Sequence, residues 1–270
     1  MLNFNNFYKF FTLSLVFPLI SACDNGPSLR SICETHSEIC QDLNTDAWCR
    51  NERRLVIFGR YEEMSTPTDE VRYQLIQNFE AYSKCVHKAS LIEHIKLKEK
   101  TTSRVNGYVT SIKELKRLSE ATKDSNHPHL LYWHWSRNGD EAALSRFLKL
   151  RDTGVLQTPE LQFKLATHYV KYNQDLTIDT LYHALELYDG SEPLNTEILT
   201  TLSTLYLKQE KFKHAYVWGK IAKENGATDI DLAPLRAMLE NDNIRVSDLD
   251  GLANDYFSDI NSGKFVPPKR

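Results

Sequence analysis

The cysteines are the residues in this 270-residue chain whose chemistry is most tightly limited by spacing. Setting Cys23 aside leaves Cys33, Cys40, Cys49 and Cys85, an even set. In an exported chain an even set argues for two disulfides, and four cysteines allow three pairings. The separations of 7, 9 and 36 residues lack paired Cys-x-x-Cys geometry, so no zinc or other metal site is expected. His127, His129 and His134 form the one histidine cluster. His127 and His129 sit at a helix start where their side chains should diverge, which predicts surface and capping roles rather than metal binding or proton transfer. No Gly-rich phosphate loop, His-Glu-x-x-His, Gly-x-Ser-x-Gly or Ser-x-x-Lys pattern stands in a supporting context, and no carboxylate pair is singled out as a hydrolase dyad. The expectation is a non-enzyme with no catalytic residue and no cofactor.

Cys23 has a different chemistry. Lys9, an apolar run from Phe10 to Ile20 and small residues precede it. That run is too short to cross a bilayer, which takes about 20 apolar residues, and reads as a cleaved secretory signal. Ile20-Ser21-Ala22-Cys23 resembles the bacterial lipoprotein box, with Ile in place of the usual Leu. The resemblance implies acylation of Cys23 and attachment to the periplasmic side of the cell envelope. Several acyl chains at about 0.8 kcal/mol per buried methylene would hold the chain there essentially permanently. Asp24 resembles the enteric inner-membrane retention signal, which favours the inner over the outer membrane.

The elements that must position the remaining cysteines are helices. Glycine and proline are sparse and no alternating strand pattern persists, so the fold class is all-α. One helix is expected from about Thr45 to Tyr61 and a turn at Ser65–Pro67. A long helix from about Thr68 to Lys98 then follows, with Thr66 as N-cap and Val71, Leu75, Phe79, Tyr82, Val86, Ala89, Ile92 and Ile95 on one face. Cys49 and Cys85 lie 16 and 20 residues from Ser65, so antiparallel packing brings them to similar heights. The preferred pairing is therefore Cys33 with Cys40 and Cys49 with Cys85. A further helix, about Val105 to Thr122, should present Val109, Ile112, Leu115 and Leu118 to the core.

Farther on, Asn195 to Ala227 reads as two amphipathic helices joined by a tight turn, opened by Asn195 and stopped by Gly226. Glu160–Lys171 and Glu197–Lys208 share Glu, Leu, Thr, Tyr and Lys at a separation of 37 residues, a period typical of stacked helical hairpins. Leu202, Ser203, Tyr206, Ala215 and Ala222 resemble the tetratricopeptide repeat, and HAYVWGKIAKENGA looks like the second helix of its Sel-like variant. Leu165, Ala166 and Tyr169 mark a second unit and residues 127–150, turning at Asn138–Asp140, a third. The whole chain also resembles a family of uncharacterised gammaproteobacterial lipoproteins. The repeat resemblance implies a groove lined by Tyr132 and Trp135, then Phe163, Thr167 and Lys171, then Thr200, Thr204 and Lys208. The repeated lysines would suit an acidic segment or terminal carboxylate, and Trp135 would be the anchor.

The expected organisation is a signal peptide at 1–22, a lipid-anchored linker with cysteines at 23–43 and an N-terminal helical domain at 44–122. Tetratricopeptide-like repeats with a C-terminal cap follow at 127–262, and a disordered tail at 263–270. Net charge is −3, unevenly spread: residues 84–117 hold nine Lys/Arg against three Glu, while 228–262 hold eight Asp/Glu against two Arg. The expected partners are an envelope protein or peptide of unknown identity and a membrane reached through the lipid anchor. Nucleic acid is excluded by the envelope address. An alternative reading is an envelope enzyme or glycan-binding protein using the same groove.

Overall fold

A computed structural model describes residues 26–268. The signal peptide, Cys23 and Asp24 therefore lie outside the described residues. The helices are α1 (Leu29–Thr35), α2 (Arg50–Ser65), α3 (Asp69–Ser90), α4 (Lys98–Ala121), α5 (Pro128–Asn138), α6 (Glu141–Lys149), α7 (Pro159–Tyr169), α8 (Gln174–Glu186), α9 (Thr196–Lys208), α10 (Phe212–Glu224), α11 (Ala233–Asn241) and α12 (Val246–Asn261). Among the described residues there is no strand, and the fold is all-α with repeat-like helix packing. None of these helices is long and apolar enough to cross a membrane.

Four helix starts in the second half share one device. Asp140, Thr158, Asn173 and Asn195 each accept a hydrogen bond from a backbone N–H in the first turn of α6, α7, α8 and α9. Gly139 and Gly226 adopt the left-handed conformation that ends α5 and follows α10. The resulting hairpins, α5–α6, α7–α8 and α9–α10, pack side by side. Their largest core gathers Leu181, Tyr182, Leu202, Tyr206 and Trp218.

The N-terminal half differs from expectation in several ways. α3 ends at Ser90 instead of running on to Lys98, and the buried Arg104 side chain caps that end by donating to the Ala89 carbonyl (3.1 Å). Ile92 and Ile95 are consequently exposed. The N-cap of α3 is Thr68, not Thr66; its hydroxyl accepts from Val71 N–H (3.3 Å) while Thr66 closes α2. α2 begins at Arg50 rather than Thr45, since residues 36–49 are pinned as a strap of turns that includes a short 3-10 helix at Ser37–Ile39. Arg60 grips Asp42 with two hydrogen bonds (2.8 and 2.9 Å) and donates to the Ile39 carbonyl (2.9 Å). The segment expected as a linker is thus packed, with Ile32 and Leu43 buried.

α4 buries only part of the face the periodicity suggested, with Leu118 in the core and Leu115 packed against it. Val109 and Ile112 are exposed, and Arg104, Gly107, Ser111 and Leu118 point inward. Gly107 decides this: a Cβ there would lie 2.4 Å from the Tyr82 hydroxyl oxygen and 3.0 Å from Asn44 N, so only glycine lets α4 approach α3 and the strap. Both disulfides are formed, Cys33–Cys40 between α1 and the strap and Cys49–Cys85 between α3 and the residue that precedes α2.

The segment expected to be a disordered tail also packs. Phe265 is buried, its ring 5.9 Å from that of Trp218 and 6.1 Å from that of Tyr182. A bulky aromatic three residues past Ser262 gives the chain a reason to fold back that Pro267 and Pro268 alone conceal.

Candidate binding clefts

The residues expected to line one groove fall in separate places. Tyr132, Trp135 and Thr167 meet at the seam of α5 and α7. The Thr167 hydroxyl donates to the Lys164 carbonyl (2.7 Å), so Tyr132 is the donor in the 2.9 Å contact between Tyr132 and Thr167. Trp135 sits edge-on to Tyr132 (5.7 Å) and to His168 (5.6 Å), and His168 leads on to exposed Tyr172 (5.5 Å). This is an aromatic ridge rather than a trough. Phe163 is turned inward onto the main core. Lys171 lies beyond the end of α7 and Lys208 is the last residue of α9, both exposed.

Thr200 and Thr204 line a cleft of about 760 Å³ between α9, the start of α10, the α10–α11 loop and α11. The loop is seated because Gly219 has no side chain; a Cβ there would lie 2.9 Å from the Leu232 Cδ2 and from the Ser203 hydroxyl. Leu207, Phe212, Leu235 and Met238 make the cleft apolar. Its hydroxyl groups have no proton to give: Thr204 donates to the Thr200 carbonyl (2.8 Å), Thr200 to the Glu197 carbonyl (3.1 Å) and Ser203 to the Ala215 carbonyl (2.8 Å). What remains for a ligand are lone pairs, methyl groups and, from the loop, the carboxylates Asp229 and Asp231. The arrangement suits an apolar segment with N–H donors or cations beside it, not the acidic segment that the lysine ladder suggested.

A second cleft, of about 750 Å³, lies between the start of α7 and the α8–α9 loop, and His129 and Glu160 face it. Behind them is a polar cluster with no counterpart in the sequence reading. Lys164 Nζ donates to the Tyr73 hydroxyl (2.9 Å), to His129 Nδ1 (2.6 Å) and to Glu160 Oε1 (2.5 Å). An ammonium group can only donate, so His129 Nδ1 accepts and the imidazole carries its proton on Nε2. Burial lowers the Lys164 pKa and, together with the Glu160 charge, raises that of Tyr73. The rings of His127 and His129 do not diverge; they stack at 5.5 Å, and both lie against Tyr73. His134 is buried too. All three protons of Lys164 are used within the cluster, which therefore ties α3, α5 and α7 together. Only the i, i+4 spacing of Glu160 and Lys164 hinted at it.

Cys49, Glu52 and Cys85 bring potential metal-ligand atoms within 4.8 Å of one another, but both sulfurs are committed to the disulfide.

A family described as "Protein of unknown function (DUF2989)" matches residues 20–220. The chain belongs to this family. The DUF2989 match spans the strap, both disulfides, the Lys164 cluster and the α9 wall of the first cleft, and stops before α11. No curated protein and no solved structure matches the chain.

Proposed function

We propose that this DUF2989 chain is a lipoprotein, acylated at Cys23 and facing the periplasm, that acts as an adaptor by holding an apolar segment of an envelope protein in the α9–α11 cleft. The three hairpins from α5 to α10 are then tetratricopeptide-like units, with α11–α12 as the end unit that a repeat array needs. The observation that carries the reading is the cleft's lining: an apolar floor, proton-committed hydroxyls and two carboxylates from the loop. Leu207 stands half exposed in this wall, an apolar side chain with nothing over it. The Lys164 cluster favours binding over chemistry, because its groups satisfy one another.

A photo-crosslinking residue placed at Thr204 or Met238 in intact cells tests the site. Light-dependent adducts to a discrete protein are expected at both positions and should disappear with Leu207→Asp. Adducts formed from Trp135 but from neither cleft position would move the site to the aromatic ridge. Labelling with a palmitate analogue tests the anchor and should be lost in Cys23→Ser.

A further inference from the structure

The loop joining α3 to α4 carries an apolar surface that no part of the fold covers. Ile95 is 91% exposed and Leu91 69%, and Ile92 and Leu97 are exposed beside them. Trp48, half exposed, belongs to the same end of the molecule. Arg104 donates to the Ala89 carbonyl in the last turn of α3 and holds its guanidinium 5.3 Å above the Trp48 ring. The loop is braced from inside: Thr101 accepts from His94 N–H (3.3 Å) and donates to the Ile92 carbonyl (3.4 Å). Two of the loop's backbone groups are thus held from inside while its apolar tips stand exposed, an arrangement suited to the wet boundary of an apolar phase.

Lysines flank the tips along the chain. Residues 84–100 contain Lys84, Lys88, Lys96, Lys98 and Lys100 against Glu93 and Glu99. A protein interface is a poor match, because interface cores are depleted in lysine, and a second copy would bring like charges together. Apolar tips with a lysine collar and an interfacial tryptophan fit the boundary of a bilayer bearing anionic head groups. Each cation close to such a surface strengthens attachment about fivefold. We propose that the α3–α4 loop and Trp48 form a membrane-contact surface that dips into an anionic bilayer. The proposal depends neither on the α9–α11 cleft nor on acylation, since it concerns which face of the protein meets lipid.

The test places an environment-sensitive dye at Ile95→Cys in the full chain carrying Cys23→Ser, with Tyr172→Cys as the control position. The protein is mixed with vesicles of phosphatidylcholine alone or with phosphatidylglycerol added, each doped with brominated lipid as a depth quencher. Quenching at position 95, stronger with phosphatidylglycerol and absent at 172, is expected. Lys88→Gln/Lys96→Gln/Lys98→Gln should reduce the immersed fraction about fivefold per lysine without changing the helical circular dichroism. Equal quenching at 95 and 172, or none at 95, overturns the proposal. A blue shift at 95 that needs no lipid and grows with protein concentration also overturns it, assigning the surface to a second copy.

Discussion

Lys164 Nζ on α7 donates to the hydroxyl of Tyr73 on α3 across 2.9 Å, so one largely buried ammonium fastens the second half of the chain to the helical hairpin before it. Removing the phenol oxygen alone, as in Tyr73→Phe, should cost about 1 kcal/mol, the net value of a typical intramolecular hydrogen bond. Lys164→Met should cost more in spite of its good volume match, since Tyr73 and His129 lose their common partner. Denaturant titrations of the two variants give the comparison; equal midpoints for both and the parent would show that the latch carries no stability.

Glycines 107 and 251 should respond oppositely to alanine. At Gly107 a Cβ meets the Tyr82 oxygen at 2.4 Å, and the forced shift should destabilise by about 1–3 kcal/mol. At Gly251, inside α12, nothing lies within 4 Å, so Gly251→Ala should stabilise by about 0.5–1 kcal/mol through helix propensity. Thermal melts of both variants decide the sign.

The register of α4 shows where sequence reading stops. Val109, Ile112, Leu115 and Leu118 make a plausible apolar stripe, yet only Leu115 and Leu118 reach the core, and the face that packs is turned toward Gly107 and Ser111. The choice is made by Tyr82 and Asn44, residues from other elements that need room. Ile92 and Ile95 extend the periodic pattern in the same way beyond Ser90, where α3 ends and Arg104 caps it. What was legible was local: the cap Asn195, the turn at Asn138–Asp140, the stop at Gly226, and the matching heights of Cys49 and Cys85. The Lys164 cluster was not, because it joins residues about ninety positions apart that carry no motif.

The two disulfides should differ in weight. On the chain-entropy account, closing the loop between Cys49 and Cys85 stabilises by about 4 kcal/mol and closing the short one between Cys33 and Cys40 by about 2.5 kcal/mol. Paired serine substitutions should therefore lower the melting temperature more for Cys49/Cys85 than for Cys33/Cys40. The reverse order would mean that the strap, not the hairpin, limits stability.

Acid should weaken the fold through neutral histidines. The Thr122 hydroxyl proton goes to the Leu118 carbonyl (2.8 Å), so His134 Nε2 is the donor to Thr122 (3.0 Å) and Nδ1 accepts from Asn138 (3.3 Å). Burial lowers the His134 pKa, and those of His127, His168 and His214 move the same way, also led by burial. A folded pKa below the unfolded value of about 6.5 means the stabilisation is complete above that pH and is lost as pH falls through the folded value. The urea midpoint should thus drop between pH 7 and pH 5, and by less in His134→Gln. A midpoint that does not change over this range contradicts the assignment.

Phe265 closes the core built around Trp218, and its ring also touches Tyr182 on α8, far earlier in the chain. A chain delivered from its N-terminus can therefore complete the hairpin with the Cys49–Cys85 bond while the repeat half is still arriving. That half remains without its final aromatic wedge until residue 265 has emerged. During synthesis the two halves can therefore mature in sequence, and trimming of the chain back past Phe265 should loosen the second half without touching the first.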